Sequence, residues 1–291
     1  MREGITMAAA PQAAPHASGF VTMRDGRLHY LDYGTAGKPA MLCLHGGAAH
    51  GHWFDFIAGG FNRAYHVRAL DQRGHGDSAW ITPPAYTYED YAGDLAEAVE
   101  KLDLKDFVLI GHSMGGMVSL LYAATHPGRV AQLVIVDTTM RMSEDRLAAM
   151  REVGNRPGRD YGTLDEFVTR FRLRPPGSVP DQRILQHVAK NSARQAESGG
   201  WRHKFDRNVY AQRPELDGIP YWSDIRIPAL LVKGARSERI SPQVVSQVRA
   251  RCPQVELVEI AGSDHHVTLD NPSGFVSAVQ DFLSRHRKSV E

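Results

Sequence analysis

The sequence predicts an α/β fold: one mostly parallel, eight-stranded sheet with helices on both faces and a helical segment inserted after the sixth strand. Three observations carry this. Short apolar runs alternate with stretches of helical periodicity, the pattern of buried parallel strands joined by crossover helices. Gly111-His112-Ser113-Met114-Gly115-Gly116 stands between the apolar run at 107–110 and a helical run at 117–124, at a strand-to-helix junction. The alternation then lapses between Val136 and Ala229, where helical patterns appear without a convincing central strand.

Taken in order, 21–24 and 27–31 flank Asp25-Gly26 and predict an antiparallel hairpin at the edge of the sheet. The run at 41–44 is the third strand, followed by a loop and a helix around 53–58, and 66–70 is the fourth. Thr87 is placed to cap a helix over 88–102, because Tyr91, Leu95, Ala98, Val99 and Leu102 fall on one face. The runs at 107–110, 132–136, 229–232 and 255–260 supply the remaining strands, and a closing helix covers about 273–285. Within the lapse, 144–153, 164–172 and 182–195 read as helices of a lid. Its aromatic residues Phe167, Phe171, Trp201, Phe205, Tyr210 and Trp222 are expected either to line a pocket over an uncharged, partly aromatic substrate or to form the lid's own core. The expected organisation is a disordered tail over 1–18, a core over 19–138 and 226–291, and a lid over 139–225.

Bulk properties exclude several classes of function. With 34 basic and 33 acidic residues in 291, the net charge of +1 gives no field that favours nucleic acid or acidic membranes. No apolar run reaches the length of a membrane span. The Ala- and Pro-rich start lacks the continuous apolar core of an export signal. Two cysteines, Cys43 and Cys252, make no disulfide framework, and Cys43 falls inside a strand as a small core residue. These features fit a cytoplasmic protein that takes a small molecule and is compatible with a homodimer. No His-Glu-x-x-His, Cys-x-x-Cys or Gly-x-Gly-x-x-Gly pattern arises at a suitable place, so no metal and no organic cofactor are expected.

The glycine-flanked serine carries the chemistry. A nucleophile on a sharp strand-to-helix turn sits in a strained backbone, and the positions two before and two after it must be small; Gly111 and Gly115 meet that need. The following helix points its N-terminal amides at the same spot. A serine hydroxyl needs a base, and the base an orienting carboxylate, all on loops at the carboxyl ends of strands. Of fourteen histidines, His265 and His266 follow the last strand, and the spacing to Pro272 favours His265, with His266 packing nearby. Asp137 ends the sixth strand and is the favoured acid; its plainer role is to cap the loop leaving the sheet.

The chain resembles the α/β-hydrolase superfamily from about Phe20 to Arg285. The matching motifs are His45-Gly46-Gly47, Asp71-Gln72-Arg73-Gly74-His75-Gly76-Asp77-Ser78, the Ser113 hexapeptide, and Gly262 to Pro272. The resemblance implies an oxyanion hole from the amides of Gly47 and Met114, and a structural role for the Arg73-Gly74-His75-Gly76 turn. It also implies an acid after the seventh strand. Ser237 stands at that position, so Glu238 beside it is the alternative to Asp137. The expected activity is hydrolysis of a small carboxylic ester by Ser113, His265 and Asp137. The alternatives are hydrolysis of a carbon–carbon bond in a diketone-type ring-cleavage product, disfavoured by His112 where Asn is common, and a homologue that binds ligand without turnover.

Overall fold

The computed structural model describes residues 11–197 and 199–287. A hairpin opens the fold. β1 (Ala17–Met23) pairs antiparallel with β2 (Gly26–Asp32), and Met23 faces Gly26 across the two-residue turn Arg24-Asp25, where Gly26 leaves the turn at φ +126°, a region that favours glycine. Next come β3 (Ala40–Leu44), α1 (Asp55–Phe61), β4 (His66–Leu70), α2 (Tyr88–Lys101), β5 (Phe107–His112), α3 (Met114–Thr125) and β6 (Val130–Val136). After β6 the chain forms α4 (Glu144–Asn155), α5 (Leu164–Arg170), α6 (Gln182–Asn191), β7 (Ala193–Gln195), β8 (Trp201–His203) and α7 (Asn208–Ala211). It then returns through β9 (Ala229–Gly234), α8 (Pro242–Arg251), β10 (Glu256–Ile260), α9 (Val267–Asp270) and α10 (Pro272–Arg285).

The eight-stranded sheet has the order β1-β2-β4-β3-β5-β6-β9-β10 and is parallel from β4 to β10. Side chains alternate across it, and both faces are buried. Leu42, Leu44 and Leu109 pack with Leu95, Val118 and Val248 of the helices on one side. Met41, Cys43 and Ile110 pack with Ile57, Val279 and Phe282 on the other. That two-sided burial is why these strands are nearly continuous apolar runs. Thr87 closes a capping box with Asp90 at the start of α2, satisfying two orphan amide donors. Such a cap stabilises by about 1 kcal/mol.

Two expectations are corrected. The helix expected over 182–195 stops at Asn191, and Ala193–Gln195 pairs with Trp201–His203 as a two-stranded ribbon. Strands of three residues are too short to leave a periodic signature in sequence. The tail expected over 1–18 is also shorter at its inner end. Ala14 is buried and donates its amide to Asp55 O at 2.8 Å, and Ala17 already belongs to β1. Residues 1–10 lie outside the described residues.

The segment between β6 and β9 is tied to the core at several places, the Arg73–Asp77 turn and Asp55 among them. Gly76 N donates to Lys204 O and Asp206 N donates to Gly74 O, so the Arg73–Asp77 turn seats the chain after β8. Arg73 itself is clamped to Asp94 by two bonds of 2.6 Å. Elsewhere, His187 of α6 donates to the fully buried Asp55 at 2.5 Å, alongside His52 at 2.9 Å and the Tyr33 hydroxyl at 2.6 Å.

Candidate active site

β5 delivers Ser113 at its carboxyl end. The residue takes φ +54°, ψ −114° between the strand and α3, held by its own amide donating to Val136 O and by Gly115 N donating to His45 O. A non-glycine residue held there stores about 1–3 kcal/mol of strain. The flanking glycines are obligatory: a Cβ at Gly111 would lie 2.4 Å from Gly115 O, and one at Gly115 would lie 2.4 Å from Leu44 O.

β10 and the turn after it bring His265 to the same place, and β6 brings Asp137. His265 Nδ1 donates to Asp137 Oδ2 at 2.8 Å, which leaves Nε2 as the nitrogen available to a hydroxyl. Burial holds the His265 imidazole well below the ordinary histidine value, with His112 and Arg239 adding to it, so the ring is neutral at pH 7 and its Nε2 is free to accept a proton. Burial pushes the Asp137 carboxyl up from its ordinary value, while hydrogen bonds from Ser237 Oγ at 2.7 Å and Gly234 N at 3.2 Å work against it. Ser237, at the position where an acid was expected, therefore serves as a donor to Asp137. Glu238 is exposed, and the carboxylate bonded to the imidazole is that of Asp137.

His45 sets the opposite wall. Its Nδ1 donates to Gly46 O at 2.7 Å and its Nε2 accepts from Gln72 N at 3.0 Å, knitting the loop after β3 to the loop after β4. This presents Gly47 to the cavity beside Met114 at the first turn of α3. Among the described residues, neither the Gly47 nor the Met114 amide has an acceptor. Two free donors next to a serine are what a developing oxyanion requires.

Ser113, His265, Gly47 and Met114 all line one cavity of about 270 Å³. The chain between β6 and β9 covers it with one face of α4, where Arg146, Ala149, Met150 and Val153 follow helical spacing, and with Arg174, Pro175, Tyr210 and Arg213. Of the two expectations for the aromatic residues of the inserted segment, pocket lining or core packing, the second holds for most of them. Of the six aromatic residues considered, Tyr210 alone faces this cavity. Phe167 and Phe171 are buried against α6, Trp222 is buried beside Met140, and Phe205 borders a separate cavity. Arginines take the place of the expected rings.

Sequence reasoning missed three contributors. His112 donates from Nε2 to the carbonyl of His265 at 2.9 Å and so positions the turn that carries the base. Ser237 was read only as a lost acid. Arg239 follows it at the cavity wall, its amide donating to Ser237 Oγ. The substitution of Ser for the usual acid was a signal that the surroundings of Asp137 had been rebuilt; the arginines left none, because surface and pocket arginines look alike in sequence. His266 packs nearby as expected, with Nε2 donating to Arg174 O at 3.2 Å and Trp53 Nε1 donating to its Nδ1 at 3.4 Å.

Comparison with known proteins agrees with this fold. The chain is 27% identical over 250 residues to 2-(acetamidomethylene)succinate hydrolase of Mesorhizobium japonicum, covering 84% of this chain and 88% of that one. It is 29% identical over 271 residues to an sn-1-specific diacylglycerol lipase of Mus musculus, covering 86% and 83%. The crystal structure of E-2-(acetamidomethylene)succinate hydrolase superposes with a TM-score of 0.82 at 24% identity, covering 93% of this chain and all of that one, and shares the fold. The family model described as alpha/beta hydrolase fold matches residues 39–272, most of the chain, and the protein belongs to that family.

Proposed function

We propose that this protein is a serine hydrolase that cleaves a small carboxylic ester through an acyl-enzyme. The observation that carries the reading is the 2.8 Å bond between His265 Nδ1 and Asp137, beside a serine held at φ +54° in the same cavity. Ser113 Oγ attacks the ester carbonyl and gives its proton to His265 Nε2. The carbonyl oxygen becomes an oxyanion facing the amides of Gly47 and Met114, each worth on the order of 3 kcal/mol to the transition state. Asp137 steadies the imidazolium. His265 then protonates the departing alkoxide, leaving Ser113 acylated; in the second half it takes a proton from water, whose oxygen attacks the acyl carbon, and gives that proton to Ser113 Oγ as the acyl bond breaks and the acid leaves. The inserted segment over 139–225 acts as the cap that shapes the acyl and alcohol pockets. The two named relatives, a succinate-derivative hydrolase and a lipase, support hydrolysis of an acyl bond without fixing the substrate.

Turnover of 4-nitrophenyl acetate and butyrate by the wild type and by Ser113→Ala tests this reading. Ester hydrolysis that disappears in Ser113→Ala is the expected result. Undiminished hydrolysis in that variant would overturn it.

A further inference from the structure

Four arginines line the cavity in front of Ser113: Arg146, Arg174, Arg213 and Arg239. No Asp or Glu lines it. The whole chain is nearly neutral, so this is a local concentration of charge and not a general excess. Among the described residues, none of the four has a carboxylate within ion-pair distance, although the structure holds many Arg–carboxylate pairs elsewhere, such as Arg73–Asp94 and Arg202–Asp160.

Arg213 is the most telling. It is 2% exposed, its Nη2 donates to the Tyr88 hydroxyl at 2.5 Å, and its guanidinium carbon lies 4.8 Å from the centre of the Tyr88 ring. Its Nε has no partner. Burying a guanidinium without an anion costs several kcal/mol, and folded proteins avoid it unless a counter-charge arrives. Arg239 is half-buried on the opposite, core side, near His265, and feels Asp137 and Asp264 only at a distance longer than an ion pair. The walls between these cations are apolar, formed by Met142, Met150, Val153 and Pro175. A small cavity with apolar walls, fixed cations and no acid is complementary to a compact organic anion.

We infer that the substrate carries a carboxylate, which pairs with these arginines while its scissile acyl carbonyl lies at Ser113. The inference rests on the serine-hydrolase reading and narrows it to the monoester, or comparable acyl derivative, of a small dicarboxylic acid. Arg213 and Arg239 act as specificity-determining residues. The carboxylate replaces the missing counter-charge, so binding and orientation come from the same contact.

The test uses a matched pair, monomethyl glutarate and dimethyl glutarate, which differ by one negative charge. Both are titrated calorimetrically into full-length Ser113→Ala, and both are offered to the wild type with acid release followed by pH-stat. The monoanion is expected to bind Ser113→Ala at least about tenfold more tightly and to show a kcat/KM at least about tenfold higher. Arg239→Met and Arg174→Met, the second at an exposed position, are each expected to collapse that ratio severalfold. Equal or tighter binding of the dimethyl ester would overturn the inference. So would competition by inorganic phosphate as strong as that by glutarate. If the wild type hydrolyses neither ester yet Ser113→Ala binds the monoanion selectively, the hydrolase reading fails and this one stands. Ser113-dependent hydrolysis that favours the diester has the opposite meaning.

Discussion

In the proposed mechanism the chemistry turns on Asp137, because the position after β9 offers Ser237 in place of a carboxylate. The hydroxyl of Ser237, the amide of Gly234 and the imidazole of His265 converge on one buried side chain. Asp137→Asn is expected to lower kcat by roughly 10³–10⁴-fold with substrate affinity nearly kept, while Glu238→Gln stays close to wild type; steady-state kinetics on one ester decides between them. The pH profile follows from His265. Its folded pKa lies well below the ordinary value of about 6.5, so the acid limb of kcat/KM is expected below that pH. Arg239 contributes to that depression, and Arg239→Met is expected to move the limb to higher pH. The placement of Ser113, Asp137 and His265 at or just after the ends of β5, β6 and β10 was legible in sequence from the apolar runs and the glycine-flanked turn, whereas Gly47 and Met114 followed from the family resemblance alone. The cavity arginines were not, because they converge from four separate segments and only the folded chain shows that they lack partners.

At the scale of elements, the sheet was readable because strands buried on both faces leave continuous apolar runs, and α2 because it carries both an apolar stripe and Thr87 as its cap. The inserted segment was the least legible. Its ribbon is short, and its seat on the core depends on contacts between residues far apart in sequence. Asp55 shows how that seat works: α6 reaches it through His187, while Tyr33 and His52 hold it from the core. His187→Ala removes one hydrogen bond to a buried carboxylate and is expected to destabilise by about 2 kcal/mol. Asp55→Ala strands three donors at once and is expected to cost more. Urea unfolding of the two variants measures both, and unchanged stability in His187→Ala would show that α6 draws no support from this anchor.

For the whole molecule, the buried histidines make stability depend on pH. Burial holds His50, His265 and His266 well below the ordinary histidine value and pushes His75 down to about 3. These groups stay neutral in the fold but take up protons in the unfolded chain once the pH falls below about 6.5, so the unfolded state binds more protons and gains on the native one. At pH 5 the fully buried His75 alone accounts for about 2 kcal/mol of lost stability, from the gap between 6.5 and 5. A second loss follows in stronger acid. Although burial opposes it, hydrogen bonds from His187, His52 and Tyr33 hold the Asp55 carboxyl well below its ordinary value, and His29 does the same for Asp71. Their contribution is complete above about pH 4 and fades as the pH drops toward the folded values. Melting temperatures are therefore expected to fall between pH 7 and 5 and again below 4; a flat profile from 7 to 5 would contradict the neutral state of the buried imidazoles.

The nucleophile is tested most directly by treating the protein with a fluorophosphonate, taking the intact mass and mapping the modified peptide, with Ser113→Ala and Asp137→Asn alongside. One adduct on Ser113 in the wild type, none in Ser113→Ala and much slower labelling in Asp137→Asn is the expected outcome. No adduct, or one that persists undiminished in Ser113→Ala, would contradict the assignment of Ser113 as the nucleophile.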